Sequence, residues 1–250
     1  MEKLKTNMKK QKALSRINPV FLQGLAHRGL HNEKFTENGM NAFKNAIDHG
    51  TAFEFDIHLT KDNELVVCHD ENLVRTTGKE GIIEDLTLQE IRDNYRLLDG
   101  GVIPTFQEVL DLNQEKVPMA IELKVFRKNY KPLAAKCKEM LRKNIKDKRN
   151  VLLISFDPRS LWPFKHEGYI RSLLVAKSDE YTWFFKFTVE SVDLEDVLYQ
   201  EKRVQRYVKN HFSNVWTIEN EEQLNSMLPY VDTVTYQYID SEIVKKALQK

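Results

Sequence analysis

Four carboxylates and two histidines stand in the first half of the chain, in an order that suggests chemistry. Like charges held close together disfavour their own ionised forms, and a bound cation removes that cost. Carboxylate oxygens suit a hard cation such as Ca²⁺ or Mg²⁺ better than zinc, which prefers nitrogen or sulfur. We therefore expect one divalent cation, with the candidate ligands Glu37, Glu54, Asp56 and Glu122.

The two histidines, His27 and His69, indicate acid–base chemistry beside that cation. Because an imidazole titrates near neutrality, one ring can accept a proton while the other donates one. Arg28 and Lys124 add fixed positive charge next to the same residues. A cation, a guanidinium and an ammonium around one point are an arrangement for a phosphate anion, and they would stabilise charge that builds in a transition state.

Short strand-like runs alternate with amphipathic helical patterns along the chain. Alternate residues of a strand point to the same side, so Glu54 and Asp56 project together from one predicted strand. Glu122 and Lys124 do the same on a later strand. The predicted strands are Gly24–Arg28, Ala52–Leu59, Leu65–His69, Pro118–Val125, Val151–Phe156, Ile170–Ala176, Val192–Tyr199, Asn214–Ile218 and Val231–Tyr236, and the predicted helices include Asn38–His49, Thr105–Asn113, Lys131–Ile145, Lys202–Lys209 and Glu221–Leu228.

This alternation over 250 residues predicts an α/β fold, and specifically a closed TIM (β/α)8 barrel. The rival is an open doubly wound sheet, which a glycine-rich loop after the first strand would support, and the sequence has no such loop. In a barrel, the candidate residues would converge at the C-terminal ends of the strands. We expect a basic lead-in over residues 1–22, a single barrel over 23–250, and a small insertion on its catalytic face at about 70–104.

Composition limits the classes of partner. The 38 basic and 37 acidic side chains leave a net charge of +1, which predicts no nucleic-acid partner. No apolar run reaches the roughly 18 residues of a membrane span. Two cysteines fit free thiols in a reducing compartment, so a cytoplasmic location is expected. The oligomeric state is open.

Short motifs run through most of the chain in a fixed order. They are AHRG (Ala26–Gly29), ENG (Glu37–Gly39), EFDIHLTKD (Glu54–Asp62), VVCHDENLVRTT (Val66–Thr77), IPTFQEVL (Ile103–Leu110), IELK (Ile121–Lys124), ISF (Ile154–Phe156) and WTIEN (Trp216–Asn220). The series resembles the glycerophosphodiester phosphodiesterase (GDPD) family. That resemblance implies a TIM barrel with a small insertion, and metal-dependent hydrolysis of glycerophosphodiesters to sn-glycerol 3-phosphate and an alcohol.

The resemblance also implies a role for each candidate residue. The roles are acid–base catalysis for His27 and His69, substrate-phosphate binding for Arg28 and Lys124, metal binding for Glu37, Glu54, Asp56 and Glu122, orientation of the site for Asn38, and a wall of the glycerol pocket for Trp216. His58 shares a strand face with the acids but is interpreted as capping the strand end. Asp70 is interpreted as orienting nearby backbone.

The chain departs from the family pattern near its C-terminal end. Its last strand reads VDTVTYQYID (Val231–Asp240), where the family has threonine with aspartate or glutamate and then a proline. Glu219 precedes Asn220, a shift of one residue from the usual asparagine position. Both changes are expected in the rim of the substrate pocket, so the identity of the substrate is open.

An aromatic run at Tyr181–Phe187 leaves a second activity open. It is expected to pack over the barrel rim, but as an apolar lid it would admit a larger alcohol or a lipid group. The alternative function is therefore a lysophospholipase D or sphingomyelinase D-like phosphodiesterase. A barrel that binds phosphodiesters without turnover is a further alternative, against which the intact set of core residues argues.

Overall fold

The computed structural model describes residues 2–249, with side chains from residue 8 onward. Within that range the chain forms nine strands and ten α-helices. The strands are β1 (Leu25–Ala26), β2 (Ala52–Leu59), β3 (Leu65–Val67), β4 (Met119–Leu123), β5 (Val151–Ser155), β6 (Ile170–Val175), β7 (Ser191–Glu195), β8 (Phe212–Ile218) and β9 (Thr233–Tyr236). The helices are α1 (Glu2–Leu14), α2 (Met40–Asp48), α3 (Val74–Thr77), α4 (Leu88–Asn94), α5 (Phe106–Asn113), α6 (Tyr130–Asn144), α7 (Pro158–Leu161), α8 (Lys202–Val208), α9 (Glu221–Met227) and α10 (Ser241–Leu248).

The sheet closes on itself. In the described part of the chain, eight parallel strands follow the order β1, β2, β4, β5, β6, β7, β8 and β9, and β1 pairs with both β2 and β9. β3 is the exception, because it runs antiparallel along the end of β2. The expected TIM barrel is confirmed. The alternative, an open sheet, is excluded because the first strand, β1, pairs with the last strand, β9.

Alternate strand residues separate the core into two clusters. On β5, Leu153 packs into the large cluster that the surrounding helices share, whereas Leu152 and Ile154 point into the barrel. Phe21 and Ile17, from the segment after α1, join the interior cluster and are almost completely buried. The basic lead-in thus contributes apolar side chains to the barrel interior.

One predicted strand ends differently in the structure. The predicted strand Val192–Tyr199 stops at Glu195 and continues as a 3₁₀ helix, Asp196–Gln200. This turn buries Tyr199, whose hydroxyl donates to the Asn214 carbonyl at 2.9 Å. Tertiary packing therefore overrides the strand pattern at this point.

The stretch expected as an insertion lies between β3 and α5. It contains α3, α4 and a short 3₁₀ helix, Ile83–Asp85. Its apolar side chains form a small cluster of their own that includes Leu73, Ile91 and Tyr95. The boundaries of the insertion and of the lead-in stay predictions. Among the described residues, no helix has both the length and the apolar character needed to cross a membrane.

Candidate active site

Strands β2 and β4 bring three of the four expected metal ligands together. Asp56 lies directly opposite Glu122 in the parallel register, and Glu54 precedes Asp56 by two residues on the same face. One oxygen from each carboxylate lies within 4.8 Å of the other two. Glu54 is 4% exposed, Asp56 1% and Glu122 7%. Water therefore screens the repulsion between their charges very little.

Burial and neighbouring charges shift the pKa values of all three carboxylates. Burial raises the pKa of Glu54, and the charges of Asp56 and Glu122 raise it further. Burial also raises the pKa of Glu122 to about 7, although the Lys124 ammonium opposes the change. Burial acts in the same direction on Asp56, but positive neighbours, Lys124 first among them, hold its pKa well below the usual range.

The cluster fits a hard divalent cation. All three donors are carboxylate oxygens, the ligand type that Ca²⁺ and Mg²⁺ prefer. The Oδ1 atom of Asp56 is buried and has no hydrogen-bond partner among the described residues. A buried acceptor without a partner is costly, so a cation at this point would satisfy it.

The raised pKa of Glu122 predicts a pH-dependent contribution to stability in the absence of a cation. Because the pKa of this group is higher in the folded protein than in the unfolded chain, its contribution is fully present below pH 4.5, the ordinary value, and is lost as the pH rises through about 7. The change is on the order of 3 kcal/mol.

Denaturant unfolding in EDTA, at several pH values between 4 and 8, measures this contribution as the difference between the wild type and Glu122→Gln. The difference is needed because the pKa of His27 is lowered by burial, and this acts on stability in the opposite direction. We expect the variant to gain stability relative to the wild type as the pH rises. Parallel curves for the two proteins would contradict the prediction.

Arg28 and Lys124 lie against the carboxylates of the cluster. Lys124 Nζ is 2.9 Å from Glu122 Oε1 and 3.5 Å from Asp56 Oδ1. The backbone N–H of Arg28 donates to Glu54 Oε2 at 3.1 Å, and its guanidinium Nε is 3.7 Å from Asp56 Oδ2. Two cationic side chains, which follow the separate strands β1 and β4, therefore border the cluster.

Glu37 is placed differently from the expectation. It does not join the three clustered carboxylates, because guanidinium groups occupy both of its oxygens. Arg28 Nη1 donates to Oε1 at 2.6 Å, and Arg75 donates to Oε2 at 2.7 Å and to Oε1 at 2.8 Å. Burial alone would raise the pKa of Glu37, but Arg75 and Arg28 lower it to about 2. This geometry supports an anchor for Arg28 rather than a metal ligand.

Asn38 lies where an orienting residue is expected. Its side-chain amide donates to Asp56 Oδ2 at 2.8 Å, and its side chain is buried. The residue has a φ of +56°, a left-handed conformation that asparagine tolerates better than most residues. That backbone conformation also explains why α2 begins at Met40 and not at Asn38 as predicted.

The two expected histidines line one small cavity. Its volume is about 110 Å³, and the carboxylates Glu54 and Glu122 also line it. Trp216 closes another side and packs edge-on against Phe156, with ring centroids 5.7 Å apart. Cavity and cluster therefore belong to one site.

His69 is held by residues that sequence reasoning set aside or missed. Asp70 Oδ1 accepts a hydrogen bond from His69 Nδ1 at 2.6 Å, and Arg75 Nε donates to Asp70 Oδ2 at 2.6 Å. His58 Nε2 lies 3.2 Å from the His69 carbonyl oxygen, and its Nδ1 lies 2.6 Å from Glu84. The available signals were the position of His58 on the strand face of the acids and the VVCHDENLVRTT motif, which contains Asp70 and Arg75.

Arg75 connects the two sides of the site. The same guanidinium binds Glu37, which holds Arg28, and Asp70, which holds His69. It lines a separate cleft and not the small cavity, so it orients the site residues from outside. The insertion thus supplies the support for one histidine.

The barrel and this site correspond to a known family. The model of the glycerophosphoryl diester phosphodiesterase family matches residues 27–241, which include every candidate site residue. The chain belongs to this family, and the resemblance of its motifs is confirmed.

Individual relatives agree with this assignment. A Bacillus altitudinis protein named glycerophosphodiester phosphodiesterase is 36% identical over 145 residues, which cover 54% of this chain and 58% of that protein. Human lysophospholipase D is 34% identical over 148 residues, covering 54% of this chain and 43% of that protein. The chain thus matches about half the length of these curated relatives. An Oleispira antarctica phosphodiesterase, solved in complex with the product sn-glycerol-3-phosphate, shares the fold with a TM-score of 0.79, at 21% identity and covering 95% of this chain and 99% of that one.

Proposed function

We propose that this chain hydrolyses glycerophosphodiesters to sn-glycerol 3-phosphate and an alcohol. One observation carries the proposal: the buried carboxylates Glu54, Asp56 and Glu122 lie beside a small cavity that His27 and His69 also line. The cavity, at about 110 Å³, suits a small polyol group such as glycerol. Family membership and the product bound to the Oleispira relative support the same reaction.

The carboxylate cluster would hold one divalent cation, Ca²⁺ or Mg²⁺, which would supply charge neutralisation at the phosphate when bound. Arg28 and Lys124 bind the phosphate oxygens from either side and stabilise the charge that develops on them. Glu37 keeps the Arg28 guanidinium in place, since its carboxylate binds that group at 2.6 Å. Glu37 is therefore proposed as a positioning residue.

The histidines divide the proton transfers. Burial, together with the neighbouring Arg28, lowers the pKa of His27 to about 3, so its ring is neutral before the reaction. The hydrogen bond to Gln237 and the charge of Asp56 oppose this shift, and they would stabilise the ring once it has taken the proton of the attacking hydroxyl. Burial lowers the pKa of His69, and its hydrogen bond to Asp70 opposes this shift. Asp70 would therefore stabilise the imidazolium form that protonates the departing alkoxide. Trp216 walls the side of the cavity where the glycerol group would lie.

A substrate panel with controlled metal content tests the proposal. Glycerophosphocholine, glycerophosphoethanolamine and glycerophosphoglycerol are assayed after EDTA treatment, and then with Ca²⁺ or Mg²⁺ added back. We expect no hydrolysis in EDTA, recovery with at least one cation, and sn-glycerol 3-phosphate as a product. Full hydrolysis in EDTA would contradict the metal assignment, and no hydrolysis under any condition would contradict the activity and favour a barrel that only binds phosphodiesters.

A second candidate activity, lysophospholipase D or sphingomyelinase D-like, is supported by a larger cleft beside the cavity. This cleft has a volume of about 650 Å³ and shares Glu122 and Phe156 with the cavity. Tyr181 and Phe185, from the aromatic run, line it. A cleft of this size and lining would accept a leaving group larger than choline. Hydrolysis of lysophosphatidylcholine but not of glycerophosphocholine would decide for this candidate.

A cytoplasmic location stays a prediction. Cys68 and Cys137 are free and buried, which is compatible with a reducing compartment.

A further inference from the structure

The two departures from the family pattern meet at His27. Gln237, in the atypical last segment, places its amide oxygen Oε1 2.8 Å from His27 Nδ1. The amide nitrogen of the same side chain donates to Glu219 Oε1 at 2.6 Å. Residues that the sequence assigns to the rim of the pocket are therefore connected to the proposed proton acceptor.

The barrel explains why these three residues meet. His27 follows β1, Gln237 follows β9 and Glu219 follows β8, and these strands are neighbours in the closed sheet. The backbone continues the pairing, since the His27 N–H donates to the Tyr236 carbonyl at 2.9 Å and the Gln237 N–H donates to the Ile218 carbonyl at 3.0 Å. These backbone hydrogen bonds fix the positions of His27 and Gln237 at the C-terminal end of the barrel.

The carboxylate of Glu219 determines which end of the Gln237 amide faces His27. A carboxylate only accepts hydrogen bonds, so the NH₂ group must point to Glu219 and the oxygen to the histidine. An amide oxygen also only accepts, so His27 Nδ1 must carry the proton. In a neutral ring this leaves the lone pair on Nε2.

We propose that Gln237, oriented by Glu219, is a positioning residue that holds neutral His27 in its Nδ1–H tautomer, with Nε2 as the proton acceptor. This rests on the proposed function only for the use of Nε2 in catalysis. His31 Nε2 also lies 3.3 Å from Gln237 Oε1, so a second imidazole can donate to the same oxygen. The departures then act on catalysis and not only on the choice of substrate.

The tautomer is measured directly by ¹⁵N NMR of histidine-labelled protein, with His27 assigned from its loss in His27→Gln. We expect the Nδ1–H form in the wild type. In Gln237→Leu, which removes the acceptor, the ring should shift towards the Nε2–H form, whereas Gln89→Leu should leave it unchanged. Gln89 is a matched control, because it is exposed and its amide also donates to a carboxylate, that of Asp93, at 2.8 Å. An Nε2–H ring in the wild type would overturn the proposal.

Kinetics test the consequence for turnover. Gln237→Leu should lower kcat about ten- to 100-fold with little change in KM, the scale seen when a partner that orients a site histidine is lost. The exchange Gln237→Glu with Glu219→Gln keeps an acceptor beside His27 and should recover kcat to within about threefold of the wild type. Gln237→Glu alone should not recover it, because two carboxylates would then face each other.

These outcomes separate the inference from the proposed function. If the wild type hydrolyses no phosphodiester, the proposed function fails, and the NMR measurement still decides the tautomer. If the wild type is active and Gln237→Leu keeps its kcat within twofold, the positioning role is wrong. If kcat falls only in proportion to folded protein, as measured by circular dichroism, Gln237 has a structural role alone, which also contradicts the proposal.

Discussion

His69→Gln should lower kcat by about 10²- to 10⁴-fold, the range expected when a general acid or base is removed. Glutamine has a similar polarity but cannot donate a proton to a departing alkoxide. The proposed phosphate ligands Arg28 and Lys124 follow other strands, so KM should change much less than kcat. Steady-state kinetics on the best substrate of the panel, with saturating cation, measures both parameters.

His166→Gln is the matched control for this variant. His166 is exposed and lies outside the small cavity, so its replacement should leave kcat and KM unchanged. Asp70→Asn should give an intermediate loss, because His69 would keep its position but lose the charge that stabilises its protonated form. A His69→Gln protein with kcat within threefold of the wild type would show that another group donates the proton.

Asp56→Asn should abolish tight cation binding and, with it, nearly all activity. Asp56 is the centre of the site: Lys124, Arg28 and Asn38 all lie within 3.7 Å of its carboxylate. The substitution removes one of the three proposed charged ligands and leaves Arg28 and Lys124, the two proposed phosphate ligands, without the acid beside them. We expect cation affinity to fall by at least about 100-fold, since the loss of a residue that only supports a metal ligand already costs about ten- to 100-fold.

Two measurements check this result independently of activity. Isothermal titration gives the affinity for Ca²⁺ and Mg²⁺, and thermal unfolding with and without cation gives the stabilisation that binding provides. Asp232→Asn is the control, because Asp232 pairs with Lys10 at 2.7 Å, directly before β9 and far from the carboxyl ends of the strands. If Asp56→Asn retained a cation-dependent rise in Tm equal to that of the control, the cation would bind elsewhere.

Much of the site could be predicted because it follows from strand periodicity. Glu54 and Asp56 are two residues apart in a buried strand, so they must share a face, and parallel strands bring that face to the same end as Glu122. The spacing of strands and helices was also sufficient for the barrel. These features depend on the periodicity of apolar and polar residues and on regular backbone geometry, and both can be inferred directly from the sequence.

Glu37 shows what the sequence alone could not decide. The sequence predicted an acid near the site but not the partner of that acid. Arg75 lies 38 residues from Glu37, in the insertion, and has no periodic relation to Glu37. Whether this acid binds a cation or a guanidinium depends on which loop folds over it. Only the tertiary structure could make that choice.

The contact between His27 and Gln237 could not be predicted from the sequence either. They are 210 residues apart, and they meet only because the last strand of the barrel closes against the first. The sequence by itself determined most of the strands, the face of the acids and the types of the proposed catalytic groups. The tertiary structure decided which side chains hold those groups, because hydrogen bonds between the loops of a closed barrel depend on the positions of several strands at once.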